Sequence, residues 1–388
     1  MAISAAATAQ VDFSPIFTQI KLEARADFDY FHNTAIAQDG TTSVENPYGF
    51  HGQYFNMIIG GPINSKFSYF FRQRIVAKPG TVSLFDNTDF LYLNYMPSQN
   101  WMIRVGKDAL AVGGFEYDAP PINVLFSTVY WDNFYCFQPA VAAAYKSDDA
   151  TQMLLFQVGN SPYIHYGADL GYGLGNEWKS GLMAYSIYWN GDFGHFKVLH
   201  SVNMFQRPDR GFMNYIALGH KLVYPHWDIY LDLIHHSFSH NDILKNYAVV
   251  SCANFYFNNG LNFFVKGAYE QNKSNEVIPN FGQNGLFDCL MQEPGKSFCT
   301  YGVGMEYHPL ACKDFRFHAF VANRKMVEDV ATASDIPTLP IAGYESVRPE
   351  ANSLQFNLGI TWDMDIHRMI KERAARIAAQ PAIDTYYK

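Results

Sequence analysis

From Ile20 to Tyr30 the chain alternates without a break. Ile20, Leu22, Ala24, Ala26, Phe28 and Tyr30 are apolar or aromatic, and Lys21, Glu23, Arg25, Asp27 and Asp29 are charged. A helix would scatter those charges around its circumference, whereas a strand puts them all on one face. Taken alone, the segment also fits a soluble sandwich whose charges face bulk water. Recurrence separates the two. Strand-like runs follow at Gly52–Gly61, Lys66–Ile75, Asp89–Met96, Trp101–Lys107, Phe134–Tyr145, Thr151–Gly159, Trp178–Asn190 and Gly194–Gln206. They continue at Met213–Tyr224, Trp227–Phe238, Tyr247–Phe257, Leu261–Gln271, Phe298–His308, Phe315–Lys325 and Asn352–Met364. Many approach the length of about nine to eleven residues that a tilted strand needs to cross a bilayer. Soluble strands cluster nearer roughly five or six.

The links between the runs fall into two classes. Short ones lie at Pro62–Ser65, Pro97–Asn100, Lys146–Ala150, Gly191–Phe193, Pro225-His226, Asn258–Gly260 and Pro309–Asp314. Long ones lie at Gln38–Pro47, Val76–Thr88, Ala109–Asn133, Asn160–Glu177, Asn272–Lys296 and Met326–Ala351. Short and long alternate almost throughout, which is the asymmetry of an outer-membrane barrel with tight periplasmic turns and long extracellular loops. The fold class expected is therefore all-β, a transmembrane antiparallel barrel of about sixteen strands.

Face chemistry agrees. Ile229, Leu231 and Leu233 would face lipid, with Asp228, Tyr230 and Asp232 toward the lumen. Leu261, Phe263, Val265 and Tyr269 alternate with Asn262, Lys266 and Glu270, although Phe264 breaks the pattern. Trp101, Trp178, Trp189, Trp227 and Trp362 sit near strand ends, as interfacial girdles require. An even strand count leaves both termini periplasmic. The aromatic-ended last run resembles the final strands that the barrel-assembly machinery reads, and that machinery is an expected partner during biogenesis, beside outer-membrane lipid. Residues 10–364 form the barrel on this reading, and 365–388 a periplasmic extension. Ile366, Met369, Ile370 and Ile377 follow helical spacing there, so a short helix is expected, packed under the barrel or, on a sharper reading, holding a partner. In the first nine residues Ala7-Thr8-Ala9 reads like the end of a signal peptide, without a basic n-region or an apolar h-region. The start is either a remnant of a longer leader or a bland terminus.

Composition narrows the class further. Of 388 residues only 16% are charged, yet 26 are Tyr and 32 Phe. No stretch supplies about eighteen consecutive apolar residues, so no transmembrane helix is expected. The net charge of −8 argues against a nucleic-acid partner.

Residues 50–130 resemble the phosphate-selective porin O and P family. Phe50–Ile63, Phe67–Arg74, Phe90–Tyr95 and Trp101–Lys107 carry the likeness, followed by Gly113-Gly114-Phe115-Glu116-Tyr117 opening a long loop. The resemblance implies a sixteen-stranded channel, often trimeric, in the outer membrane of a Gram-negative bacterium, whose third loop, here 109–133, folds inward and narrows the pore. Small hydrophilic solutes or ions would diffuse through, with an anion or phosphate preference as one option; no cofactor is implied. Glu116, Tyr117 and Asp118 would belong to the constriction. Arg104 and Lys107 would stand at its mouth, with Arg25, Arg72 and Arg74 along the wall. A planar guanidinium fork suits phosphate and carboxylate oxygens. The expected lumenal set mixes signs, however: Lys21, Glu23, Arg25, Asp27, Asp29, Arg72, Arg74, Arg104, Lys107, Asp228, Asp232, Lys266 and Glu270. Glu306 and loop residue Asp132 add to it. Opposite charges on facing walls make a transverse field rather than an anion filter, so the solute stays open.

Other constellations carry less. His235, His236, His240 and Asp242 at a strand end have no zinc-like spacing. Ser237 and Ser239 lack the G-x-S-x-G elbow of a lipase. Five cysteines, Cys136, Cys252, Cys289, Cys299 and Cys312, exclude complete pairing within one chain; Cys289 and Cys299 flank one long loop, where a disulfide is an option. No enzyme is expected. The rival to a channel is a non-conducting barrel acting as a structural or accessory subunit of an envelope complex.

Overall fold

The computed structural model describes residues 18–36, 42–75, 87–133, 136–163, 181–207, 210–237, 245–273, 277–278, 286–287, 296–310, 312, 314–329 and 352–379. The barrel strands are β1 (Gln19–Ile36), β2 (Tyr48–Pro62), β3 (Phe67–Arg74), β4 (Thr88–Tyr95), β5 (Trp101–Ala109), β6 (Phe137–Lys146), β7 (Gln152–Asn160) and β8 (Met183–Phe193). They continue as β9 (Phe196–Gln206), β10 (Phe212–Tyr224), β11 (Trp227–Ser237), β12 (Asn246–Tyr256), β13 (Leu261–Asn272), β14 (Lys296–Tyr307), β15 (Phe315–Asp329) and β16 (Asn352–Asp365). Each pairs antiparallel with its chain neighbours, and β1 pairs with β16 from Lys21↔Asp365 to Thr34↔Asn352. The result is a closed 16-stranded barrel. Closure satisfies every backbone group without leaving an edge, the condition for sheet structure in lipid. A short strand, Thr42–Glu45, continues the β1–β2 ladder beyond Asn46-Pro47.

Alternation gives the wall two chemistries. Leu91, Leu93, Ile103, Val105, Ile187, Val265 and Val303 are exposed on its outer face. At the short-link end aromatic pairs ring the barrel: Trp101 with Tyr145 at 5.3 Å, Tyr224 with Trp227 at 4.6 Å and Phe315 with Trp362 at 5.4 Å. This is the girdle expected at the headgroup level. Trp178 lies outside the described residues, and β8 begins at Met183.

Two strand limits differ from the sequence reading for identifiable reasons. In β2 a bulge sets Arg25 opposite Tyr54 and Ala26 opposite Gly52. The extra Gln53 shifts the alternation, which hides the first residues of that strand. The link expected at Gly191–Phe193 is strand, and the turn is Gly194-His195. Gly194 takes φ 80° at the first of two loop positions, a conformation natural to glycine in tight hairpins. One link at the long-loop end, 207–211, is only a few residues long and closes through Arg207 N–H to Gly211 O.

Beyond β16, a helix over Ile366–Ala379 rests against β1. Asp365 accepts the Arg368 N–H at 2.9 Å, and the Arg368 guanidinium pairs with Asp314 of the last short link. The helix is thereby tied to the short-link rim of the barrel.

Candidate functional site

The chain between β5 and β6 enters the barrel rather than leaving it. It contains α1 (Phe115–Asp118), a 3-10 turn (Pro121–Asn123) and α2 (Val129–Asn133). Gly113 and Gly114 permit the approach. The Gly113 N–H donates to Ser201 Oγ at 2.8 Å and the Gly114 N–H to Leu199 O at 3.1 Å. A Cβ on Gly113 would lie 2.5 Å from Leu199 O and 2.9 Å from Ala217 O, so only glycine lets the loop backbone touch β9 and β10. Gly114 adopts φ 101°, outside the range of ordinary side-chain-bearing residues.

From there the wall holds the loop backbone by charge. Asp232 on β11 accepts the N–H groups of Phe115 at 2.8 Å and Glu116 at 2.9 Å. Glu270 on β13 accepts those of Val129 at 3.0 Å and Tyr130 at 2.8 Å. Each carboxylate caps free amides at the start of a short helix, where the partial charge is positive. The carbonyls between the helices meet cations instead. Arg316 on β15 donates to Ile122 O at 2.9 Å, Arg25 on β1 to Val124 O at 2.9 Å and Lys266 on β13 to Phe126 O at 2.6 Å. Arg324 on β15 donates to Ser127 O at 2.8 Å. Lys266 also binds Glu116 at 2.6 Å, and Glu116 accepts from the Thr128 hydroxyl at 2.8 Å. The loop is thus a crossbar from β9 and β11 to β13, β15 and β1.

Apolar packing fixes it on two sides. Leu110, Val112 and Tyr130 join Phe205, Met213, Tyr215 and Ile234 in a buried cluster inside the barrel. Tyr117 packs on that cluster, and burial pushes the Tyr117 and Tyr130 phenols well above their usual range, so both stay neutral. Phe126 meets Phe264 and Phe320, with ring centroids 6.1 and 5.5 Å away. Phe264, the irregular apolar residue of β13, therefore points inward because the loop gives it a partner. On either side of the loop lie cavities of about 270 and 410 Å³, toward the long-loop and short-link ends respectively. Val124, Leu125 and Phe126 line both.

The remaining charges are largely paired along the wall. Arg72 and Arg74 both bind Asp89, each at 2.8 Å, and Arg104 binds Asp108 at 2.7 Å while lying over the Tyr92 ring. Lys21 pairs with Asp363 at 3.3 Å, and Glu23 accepts from Asn56 at 3.3 Å. Asp27 is clasped by Arg25 at 2.8 Å and His318 at 2.9 Å. Asp29 receives the amides of Asn357 and Gln355 at 2.7 and 2.9 Å. Asp27, Asp29 and His51 together could offer ligand atoms to a metal: both amides take Oδ1 of Asp29, and His51 lies 3.2 Å from its Oδ2. Asp228 accepts from Tyr256 at 2.5 Å and Asn254 at 2.7 Å. Asp118 is exposed beside the larger cavity, which Lys221 also lines.

Of the residues singled out by sequence, Arg25, Glu116, Asp232, Lys266 and Glu270 converge as anchors of the loop. Arg72, Arg74 and Arg104 lie apart, on the β3–β5 wall. Lys107 is buried and stands in register with Leu91 and Pro139. Gly106, at φ 140°, interrupts the regular alternation just before it, and Lys107 is 4% exposed where the outer-face Val105 of the same strand is 51% exposed. Sequence reasoning missed Arg316, Arg324 and Ser201. The signal was available for the two arginines, which share inward parity with His318 in the run from Phe315. His235 and His236 project to opposite faces, since neighbours in a strand must; His240 and Asp242 lie outside the described residues, as does Cys289.

No curated protein matches the chain. Solved structures do, over 89% of its length and at identities that speak for the fold alone. The outer membrane channel DcaP of Acinetobacter baumannii is 11% identical, with TM-score 0.55 over 96% of that chain. The anion-selective porin from Comamonas acidovorans is 8% identical, with TM-score 0.54 over 98% of its chain. The trimer form of OmpT, an outer membrane protein of Vibrio cholerae, is 8% identical, with TM-score 0.51 over 98%. The model of the family described as phosphate-selective porin O and P matches residues 19–242, more than half of the sequence, and the chain belongs to that family: it is a porin, a channel of the Gram-negative outer membrane.

Proposed function

We propose that this porin passes small hydrophilic solutes with little preference between anions and cations. The observation that carries the reading is the pairing of the lumenal arginines. Each guanidinium of the expected anion ladder already holds a carboxylate, within 2.7–2.8 Å for Arg25, Arg72, Arg74 and Arg104. An anion would have to displace that partner to bind, which removes the gain of a free guanidinium ladder. Lys21, Glu23, Arg104 and Asp118 are the lumenal charges closest to solvent on this reading.

Reversal potential in a tenfold KCl gradient is the test. Ideal selectivity would give about 59 mV, and a small fraction of that is expected. A potential near the anion limit would sink the proposal. Arg104→Ala leaves Asp108 without its cation and should move the potential toward cations.

One feature favours a second reading. Arg72 and Arg74 share the single carboxylate of Asp89, a local excess of positive charge in keeping with the anion selectivity of the Comamonas porin. Saturable block by inorganic phosphate, abolished in Arg74→Gln, would establish it. A homotrimer is proposed by likeness to the trimeric OmpT; the mass of the detergent-solubilised protein, corrected for bound detergent, decides it.

A further inference from the structure

The smaller cavity, on the long-loop side of the crossbar, has a lining unlike an ion site. Phe31 on β1, Tyr54 on β2 and Trp131 on α2 bring three half-buried aromatic rings to a space of about 270 Å³. Thr300 on β14 and Arg324 on β15 stand opposite each other in register and line the same space. The Thr300 hydroxyl is buried, the residue being 3% exposed, and it has no hydrogen-bond partner among the described residues. Nε of Arg324 likewise has none among the described residues, although the Nη2 of that guanidinium is engaged by Ser127 O and Asp132. Buried polar groups in native proteins are rarely left unpaired, and two on facing positions of one cavity ask for a ligand that can both donate and accept.

Charge in the cavity is cancelled from within. Arg324 faces Asp132 at 2.9 Å, and Arg25 faces Asp27 at 2.8 Å. An ionised solute gains little there. A ring with apolar C–H faces and a rim of hydroxyls matches both the aromatic lining and the unpaired donor and acceptor. From this geometry we propose that the cavity is a subsite for a neutral sugar ring, met by solutes before they reach the crossbar. The proposal rests on the weakly selective pore described above and adds the class of solute.

The test uses the whole chain in planar bilayers of diphytanoyl phosphatidylcholine, with glucose or maltose added and ion current recorded. Saturable block by the sugars is expected, with sorbitol, an open-chain polyol, and inorganic phosphate giving none. Trp131→Ala should raise the half-blocking concentration about tenfold, and Trp131→Phe should restore it to within about twofold. Block by sorbitol equal to that by glucose, or a Trp131→Ala half-block equal to wild type, overturns the subsite. Intrinsic fluorescence in detergent gives a readout independent of conduction: glucose should change the emission of the wild type and not of Trp131→Phe. If the barrel does not conduct but that change persists, the pore reading fails while the subsite stands; if neither is seen, both fail.

Discussion

Gly113→Val should raise single-channel conductance several-fold. The added side chain would start at a Cβ only 2.5 Å from Leu199 O and 2.9 Å from Ser201 N, both of them backbone atoms of a sheet held by its neighbours. Strand β9 cannot retreat without breaking its ladders to β8 and β10, so the loop must. Once it lifts, Phe115 and Glu116 lose Asp232, and the crossbar loses its first anchor. Overpacking of this kind costs about 1–3 kcal/mol, which should lower the temperature at which the folded barrel unfolds in detergent. Gly219 offers a control from the other partner: its Cβ would lie 2.9 Å from Gly114 Cα. Gly219→Val should therefore reproduce the conductance of Gly113→Val. Wild-type conductance in both variants would mean that the loop does not press on this wall.

Lys266→Met should be the most destabilising of the charge changes. Lys266 is the cation bound to Glu116, whose side chain is only 2% exposed, and it also holds Phe126 O. Removing it strands a buried carboxylate, at a cost of about 3–5 kcal/mol. The double variant Lys266→Met/Glu116→Gln removes both charges and should recover most of that loss, because Gln can still accept from Thr128. Thermal unfolding of the detergent-solubilised barrel measures the pair. Equal unfolding temperatures for the single and double variants would show that the Lys266–Glu116 contact is not the stabilising one. Open-channel noise should rise in the single variant, since the carbonyl of Phe126 is freed with the carboxylate.

Much of this was readable from the sequence, for a physical reason. A wall between lipid and lumen imposes a period of two on every strand, and the difference between short turns and long loops is written in residue spacing. Hence β1, β5 and β11 were found from pattern alone. The bulge in β2 was not, because one extra residue reverses parity without a local signature. The candidate site was legible only in part. Parity identifies which charges face inward, as for Arg25, Asp232, Lys266 and Glu270, but not what they face. The same pattern would arise from a water-filled wall or from a wall that grips a loop. Gly106 shows the other limit: at φ 140° it interrupts the period of two, so counting from Val105 does not carry over to the buried Lys107 beyond it.

The crossbar also sets an order of events. Its backbone depends on side chains from strands that come much later in the chain, from Ser201, 88 residues after Gly113, to Arg324, 197 residues after Ser127. Contacts that distant cannot form until the sheet that carries them has assembled. The loop is thus the last part of the wall to find its place, and the cylinder must first close around an unfilled centre. Until then Asp232, Glu270, Lys266 and Arg316 stand in water across an open bore, so the nascent barrel is wider and more highly charged inside than the finished one.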